Sequence, residues 1–215
     1  MRIDKPKCLV PVLIVLLFVP GACALFEDFG ETKRKQIPPS SSNDDDDDDN
    51  GGGDCLGFPP GGFDNQFASI GVDDMEGGVI VYTGANFTSS THADQVLSIE
   101  IFESLGAYLG PGVVDLDGFN ANYATCSVCV MMHEDVDLSG SDINSIGRRY
   151  MAIDGTLTIT DLAPMIDGRF AAVLSATFVE VTVDTDYDSH IVEGGCETGT
   201  DSFSFSTTLM DATEF

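Results

Sequence analysis

The sequence predicts an all-β protein: an antiparallel β-sandwich, jelly-roll-like, of roughly 8–10 strands. Three observations predict it. Apolar residues recur at every second position in several short runs. Clusters of Gly and Asp punctuate those runs. No stretch reads as a helix of ten residues or more.

The chain opens with Arg2, Lys5 and Lys7 against a single Asp4. Leu9 to Val19, "LVPVLIVLLFV", is an unbroken apolar run, and small residues come after it. A basic start, a short apolar middle and a small-residue cut site make a secretory signal over residues 1–22. The run is too short to cross a bilayer, which needs about 20 residues. The cut site "VPGACAL" has two readings. As P-G-A-C it resembles a lipobox, with Cys23 the lipid-bearing first residue and Pro20 a departure at the −3 position. As A-C-A it is a small-x-small site, and the mature chain starts at Leu25. The lipobox reading is preferred, because the segment after Cys23 has the composition of a tether.

Residues 23–54 include Pro-Pro, a Ser run, six consecutive Asp (Asp44 to Asp49) and the run Gly51-Gly52-Gly53. Such a segment has almost nothing to bury, and its Asp run repels itself, which predicts an extended, disordered spacer. A flexible chain of about 30 residues has an r.m.s. reach of about 30 Å. That would hold a folded domain away from a membrane surface.

Residues 55–215 are long enough for one domain. Leu97, Ile99 and Ile101 alternate with Ser98 and Glu100. Leu157 and Ile159 alternate with threonines, and Phe203 and Phe205 with serines. Each pattern predicts a strand with one face on the core and one in water. Val79 to Tyr82 and Val128 to Met132 are continuous apolar runs, as central strands are. In "GRFAAVLSATFVEVTV", Gly168 to Val183, the even apolar positions give way to Val179, Val181 and Val183. That change predicts a bulge, a bend or a passage between sheets.

Nine Lys and Arg stand against 36 Asp and Glu, a net charge of −27. From Cys55 onward there is no lysine, and three arginines face 17 Asp and 8 Glu. So acidic a surface repels phosphate backbones, which excludes nucleic acid as a partner. Arg148, Arg149 and Arg169 are expected in ion pairs.

Two acidic stretches are candidate Ca²⁺ sites. Asp135, Asp137 and Ser139 lie in a D-x-D-x-S-G string, the first half of a calcium loop. The twelfth position is Ile146, where an EF-hand needs a bidentate carboxylate. Asp184, Asp186 and Asp188 alternate after a strand; in an extended chain they would share one face about 6.6 Å apart. The alternative for both is a solvated acidic turn.

Four cysteines lie in the domain: Cys55, Cys126, Cys129 and Cys196. An even number in an exported chain predicts disulfides. Cys126 and Cys129 form a C-x-x-C with His133 four residues on. In a strand the two would stand about 10 Å apart, beyond the roughly 7 Å limit for a bridge. Pairing them therefore requires a turn before the strand. The connectivity adopted is Cys126–Cys129 with Cys55–Cys196; in the two alternatives Cys126 and Cys129 pair one each with Cys55 and Cys196. Zinc and redox roles compete with it. His92, His133 and His190 have no recognisable nucleophile or carboxylate context, and no catalytic motif is present.

The string Asn120-Ala121-Asn122-Tyr123-Ala124-Thr125-Cys126-Ser127-Val128-Cys129 resembles acidic secreted lipoproteins of myxobacteria and their relatives. Gly155 to Ile159, Phe178 to Val183 and Gly194-Gly195-Cys196 share in the resemblance. It implies an exported, lipid-anchored protein and supplies no catalytic residues. The function expected is a binding or structural component of the cell envelope. It would sit at the outer membrane through Cys23 and engage a protein or glycan ligand; a periplasmic or released soluble protein is the alternative. A Ca²⁺-dependent adhesion or carbohydrate-binding module is the second functional reading. A secreted thiol–disulfide oxidoreductase or hydrolase is the third.

Overall fold

The computed structural model describes residues 55–73, 75–139 and 145–214. The signal, the tether, Cys23 and the centre of the loop after Ser139 lie outside the described residues. Nine strands run in order: β1 (Asn65–Val72), β2 (Gly78–Ser89), β3 (His92–Phe102), β4 (Gly112–Asp115), β5 (Val128–Asp137), β6 (Ser145–Leu162), β7 (Arg169–Val183), β8 (Ser189–Ile191) and β9 (Glu197–Asp211). Short 3₁₀ turns at 103–105, 118–121 and 212–214 are the helical geometry among the described residues.

The all-β, antiparallel class is as expected. The arrangement of the layers is more specific than the alternation indicated. The strands form one sheet in the order β4-β6-β5-β3-β2-β1-β9-β7-β8, and β6 also pairs with β7. That extra pairing closes a ring: β1-β2-β3-β5-β6-β7-β9 and back to β1. The expected two faces of a sandwich are thus two sides of one continuous wall. A closed wall has no free edge to cover. Six of its seven junctions are antiparallel, and β1–β9 is parallel, with Ala68 opposite Leu209 and Ile70 opposite Asp211. An odd ring cannot alternate direction all the way round, so at least one parallel junction is a geometric requirement.

The inner face carries one buried cluster drawn from every strand of the ring. It includes Ala68, Tyr82, Leu97, Ile99, Met132, Tyr150, Leu157, Phe170, Phe178, Phe203 and Phe205. The Tyr82 and Phe205 rings stack at 3.9 Å, and Phe170 meets Phe205 edge-on at 5.0 Å. Rings of this size dominate the burial, each removing about 150–250 Å² from water. At one end Phe58 and Phe63, from the segment before β1, pack on Phe203, with centroids 5.5 Å away in both cases. The interior is therefore filled by side chains. Leu116, just after β4, is fully buried in the same cluster, and its N–H donates to Gly155 O at 3.0 Å. β4 thus covers β6 where β5 has left it: β5 pairs with residues 145–151 of β6, β4 with 156–159.

Strand β7 does not change phase. Phe170 to Phe178 face inward at even positions, while Val179 and Val181 join a second cluster on the outer face. The strand is buried on both sides there, so both sets of positions read as apolar. The extra residues sit in its neighbours: Ile153 and Thr160 in β6, and one residue near Ser202 in β9. Ser98 and Glu100 also depart from expectation. They are buried, at 1% and 5% exposure, because the segment before β5 folds over them.

Gly155 adjoins the first β6 bulge. Its φ is +113°, and a Cβ there would lie 2.1 Å from Ser175 O. Gly155→Ala is expected to cost about 2 kcal/mol or more, seen as a lower urea midpoint with an unchanged slope. An unaltered midpoint would show that this bulge does not constrain the wall.

Candidate functional site

Two polar clusters stand out, one on each face of the wall. The outer one is built on the Asn120–Cys129 string between β4 and β5. Asn120 Oδ1 accepts from the N–H groups of Ser127 and Val128, both at 3.2 Å. Asn122 Oδ1 accepts from Ala124 N–H at 2.8 Å and, across the chain, from Ser189 N–H at 3.3 Å. Thr125 Oγ1 donates to Phe119 O at 2.7 Å, and Cys126 N–H donates to Asn122 O at 2.9 Å. These bonds wind the chain into a turn ahead of β5, which brings the Cα atoms of Cys126 and Cys129 to 5.2 Å. The two are disulfide-bonded, as are Cys55 and Cys196. The turn that the C-x-x-C pairing required is supplied by the asparagines of its own string.

The Cys126–Cys129 bridge is buried, at 0% and 2% exposure, against Phe102, Met131, Met151, Val179 and Val181. Beside it Tyr123 donates its hydroxyl to Glu100 Oε2 at 3.1 Å, and Ser98 donates to Glu100 Oε1 at 3.2 Å. Burial, and then the Glu100 charge, push the Tyr123 phenol well above its usual range. Each carboxylate oxygen of Glu100 thus has a donor, as a buried charge requires. The same face holds His133, opposite Arg149 across the β5–β6 ladder. Burial, then the Arg149 charge, lowers the His133 imidazole to about 3, and its Nδ1 has no partner. His133 therefore stands neutral at ordinary pH.

The inner cluster centres on Glu134, at 2% exposure. Tyr150 donates its hydroxyl to Glu134 Oε2 at 2.9 Å, and Arg148 Nη1 lies 3.5 Å from the same oxygen. Oε1 has no partner. Burial raises the Glu134 carboxyl above the ordinary range despite Tyr150 and Arg148, and Glu180 adds to the rise. Arg169 pairs with Asp161 at 3.7 Å on the surface. Among the described residues Arg149 has no carboxylate at ion-pair distance, contrary to the expectation for all three arginines.

The Asp184 triplet is arranged differently from the extended ladder considered for it. Asp184, Asp186 and Asp188 form a hairpin turn between β7 and β8. Asp184 Oδ1 accepts from the N–H groups of Asp186 (2.9 Å) and Asp188 (3.0 Å), and its Oδ2 lies 2.9 Å from His190 Nε2. The His190 hydrogen bond, then those backbone donors, lower the Asp184 carboxyl. A short side chain that ties its own backbone is a turn-former. Asp135 and Asp137 are the last residues of β5 facing water or nearly so; Asp135 Oδ1 is 3.2 Å from His92 Nε2, and Asp137 Oδ1 accepts from Ser139 N–H at 2.8 Å. The remainder of that loop lies outside the described residues. Among the described residues no group of three or more His, Cys, Asp or Glu could hold a metal ion.

No protein-family profile, curated protein or solved structure matches the chain.

Glu100, Tyr123, Glu134, Arg148 and Tyr150 were not singled out as site residues in the sequence. The signal was present for two of them: an acid inside "LSIEIF" and one after "VMMH" interrupt otherwise apolar strands.

The unfolded His133 titrates near 6.5 and the folded one near 3. The folded state binds fewer protons in that window, so stability is lost as pH falls through it, by about 1.4 kcal/mol per unit. His133→Gln should flatten the fall of melting temperature between pH 6.5 and 4, and an unchanged slope would mean that the ring is hydrated. The two disulfides should also differ in reactivity, because Cys55 is exposed while Cys126 and Cys129 are buried. A dithiol reductant added to the native protein should open Cys55–Cys196 first, read by alkylation and peptide mass. Labelling of Cys126 first would contradict the sealed geometry.

Proposed function

We propose that this chain is an exported binding or structural module of the cell envelope, carried on lipid at Cys23 and presented on an acidic tether. The observation that carries the reading is the pair of disulfides. Both are closed, and such bonds persist in oxidising compartments outside the cytoplasm. The C-x-x-C bridge lies under its own loop, which supports a structural role: an exchanging disulfide needs an accessible sulfur. Cys55–Cys196 also joins the end of the tether to the start of β9. In the chain-entropy account a loop of this length contributes about 5 kcal/mol. A pull on the tether would load the wall through this covalent link, with the segment before β1 left packed on Phe203.

The lipid anchor rests on the lipobox reading and on the resemblance to acidic secreted lipoproteins of myxobacteria. No helix among the described residues is long and apolar enough to cross a membrane.

The test is the mass of the mature N-terminal peptide and of the unreduced protein from native membranes. A peptide beginning at diacylated Cys23, with a protein four hydrogens lighter than its reduced form, is expected. A peptide beginning at unmodified Leu25 would refute the anchor.

A further inference from the structure

The meander sorts its connections between two ends of the ring. The β2–β3 and β7–β9 connections, the close of β5 and the start of β6 lie at the end that holds Cys55–Cys196. The β1–β2 and β6–β7 turns, the first part of the β3–β5 connection and the close of β9 lie at the other, while the rest of the β3–β5 connection crosses the outer face to Ser189. The two ends differ in apolar exposure. At the far end Val72, Met75, Tyr108, Met165 and Ile166 are 71%, 40%, 76%, 63% and 54% exposed, and Val113 and Phe119, further along the β3–β5 connection, are 66% and 75% exposed. At the Cys55 end the large exposed apolar side chains are Leu56 and Ile191.

Turns need no apolar side chain to form; their demands are met by Gly, Asp and Asn. The β1–β2 turn illustrates this. Asp73 accepts from Met75 N–H and Gly77 N–H and also bonds Ser104, so that the turn is held by carboxylate and backbone while Met75 faces water. The β6–β7 turn is closed by backbone bonds, Gly168 N–H to Met165 O and Leu209 N–H to Gly168 O, while Met165 and Ile166 stand out of it. These residues stabilise neither turn through burial. Exposed apolar residues that share one end of the ring within a polar frame are where an interaction surface is to be sought.

The frame identifies the occupant. Glu76, Glu103 and Asp167 are exposed around these turns, with Asp161 half-exposed. The base in the same turns is Arg169, already beside Asp161. A second copy would bring the same acidic frame against this one. An anionic lipid surface would be repelled in the same way. A partner with apolar side chains set among Lys and Arg meets both features.

We propose that the end of the ring opposite Cys55 is a docking surface for a protein partner that presents apolar side chains within a basic frame. This rests on the reading of the chain as a binding module and names its partner class. The surface points away from the tether's attachment, so an anchored domain offers it outward.

The experiment places a photo-crosslinking amino acid at Tyr108 or Met165 of the full chain in its native host, with Leu56 and Ile191 as controls at the opposite end. The expected result is an adduct with one protein species from the far-end positions, absent from the controls and lost in a Met165→Asp/Ile166→Asp variant of unchanged urea midpoint. That species, once purified, should bind the full chain, and Glu103→Lys/Asp167→Lys should weaken binding by about tenfold, with salt acting in the same direction. Far-end adducts with a second copy or with lipid would overturn the proposal. So would binding unaffected by the charge reversals. Adducts from Leu56 or Ile191 alone would overturn the location and leave the binding reading standing. No protein adduct from any position would overturn both.

Discussion

Closure of the ring by β1 and β9 is the constraint on which the rest depends. The two strands come from opposite ends of the domain and run parallel. Until they meet, the sheet has two open edges and its inner face is exposed along them. Once they meet, Ala68, Phe203, Phe205 and Leu209 complete the interior from strands that the meander would otherwise leave apart. Such a long-range junction forms late in entropy terms, because most of the chain must be ordered to bring it together. Cys55–Cys196 spans the same gap covalently, tying the residues before β1 to the residue before β9. The bridge and the parallel junction are two solutions to one problem.

The polar groups inside this wall reflect its thickness. Charge is plentiful outside, so most carboxylates remain hydrated. Glu100 and Glu134 are buried, each on a different face, and each is met by a tyrosine hydroxyl. The two are not equally satisfied. Glu100 receives donors at both oxygens, while Glu134 leaves Oε1 without one. Buried hydrogen-bonded polar groups restrict which strand register is tolerated, since a slip of one residue would strand the carboxylate. Here Glu134 marks the register of β5 against β6, and Glu100 ties the loop before β5 to β3.

An exported domain meets oxidants and proteases without cytoplasmic maintenance. A ring without open edges, two disulfides and a filled interior are a coherent response to that setting. The features left over are those on the surface: a strongly acidic field and one end rich in exposed Tyr, Met, Val and Ile. Neither is needed for the wall to stand, which is why the functional reading is placed on the surface and away from the buried C-x-x-C.

The sequence by itself determined the class and much of the local order. Period-two runs set the inner faces of β3, β6 and β9, since side chains alternate across any strand whatever its partners. The spacing of Cys126 and Cys129 showed that pairing them would need a turn, but only the fold decided for that turn over a strand that sends each cysteine to Cys55 or Cys196. What only the tertiary structure decided is which strands adjoin and what covers them. Alternation cannot distinguish two stacked sheets from one closed wall, because both bury one face of each strand. It also cannot reveal cover on the second face. Val179 and Val181 looked like a change of phase, and Ser98 and Glu100 like a wet face, because the loop that buries them comes from Asn120 to Cys126, distant in sequence from β7. Likewise only the fold shows the surroundings of Asp184, whose Oδ1 takes two backbone N–H groups while its Oδ2 lies beside His190. Local pattern records the strand; long-range contact assigns each face its environment.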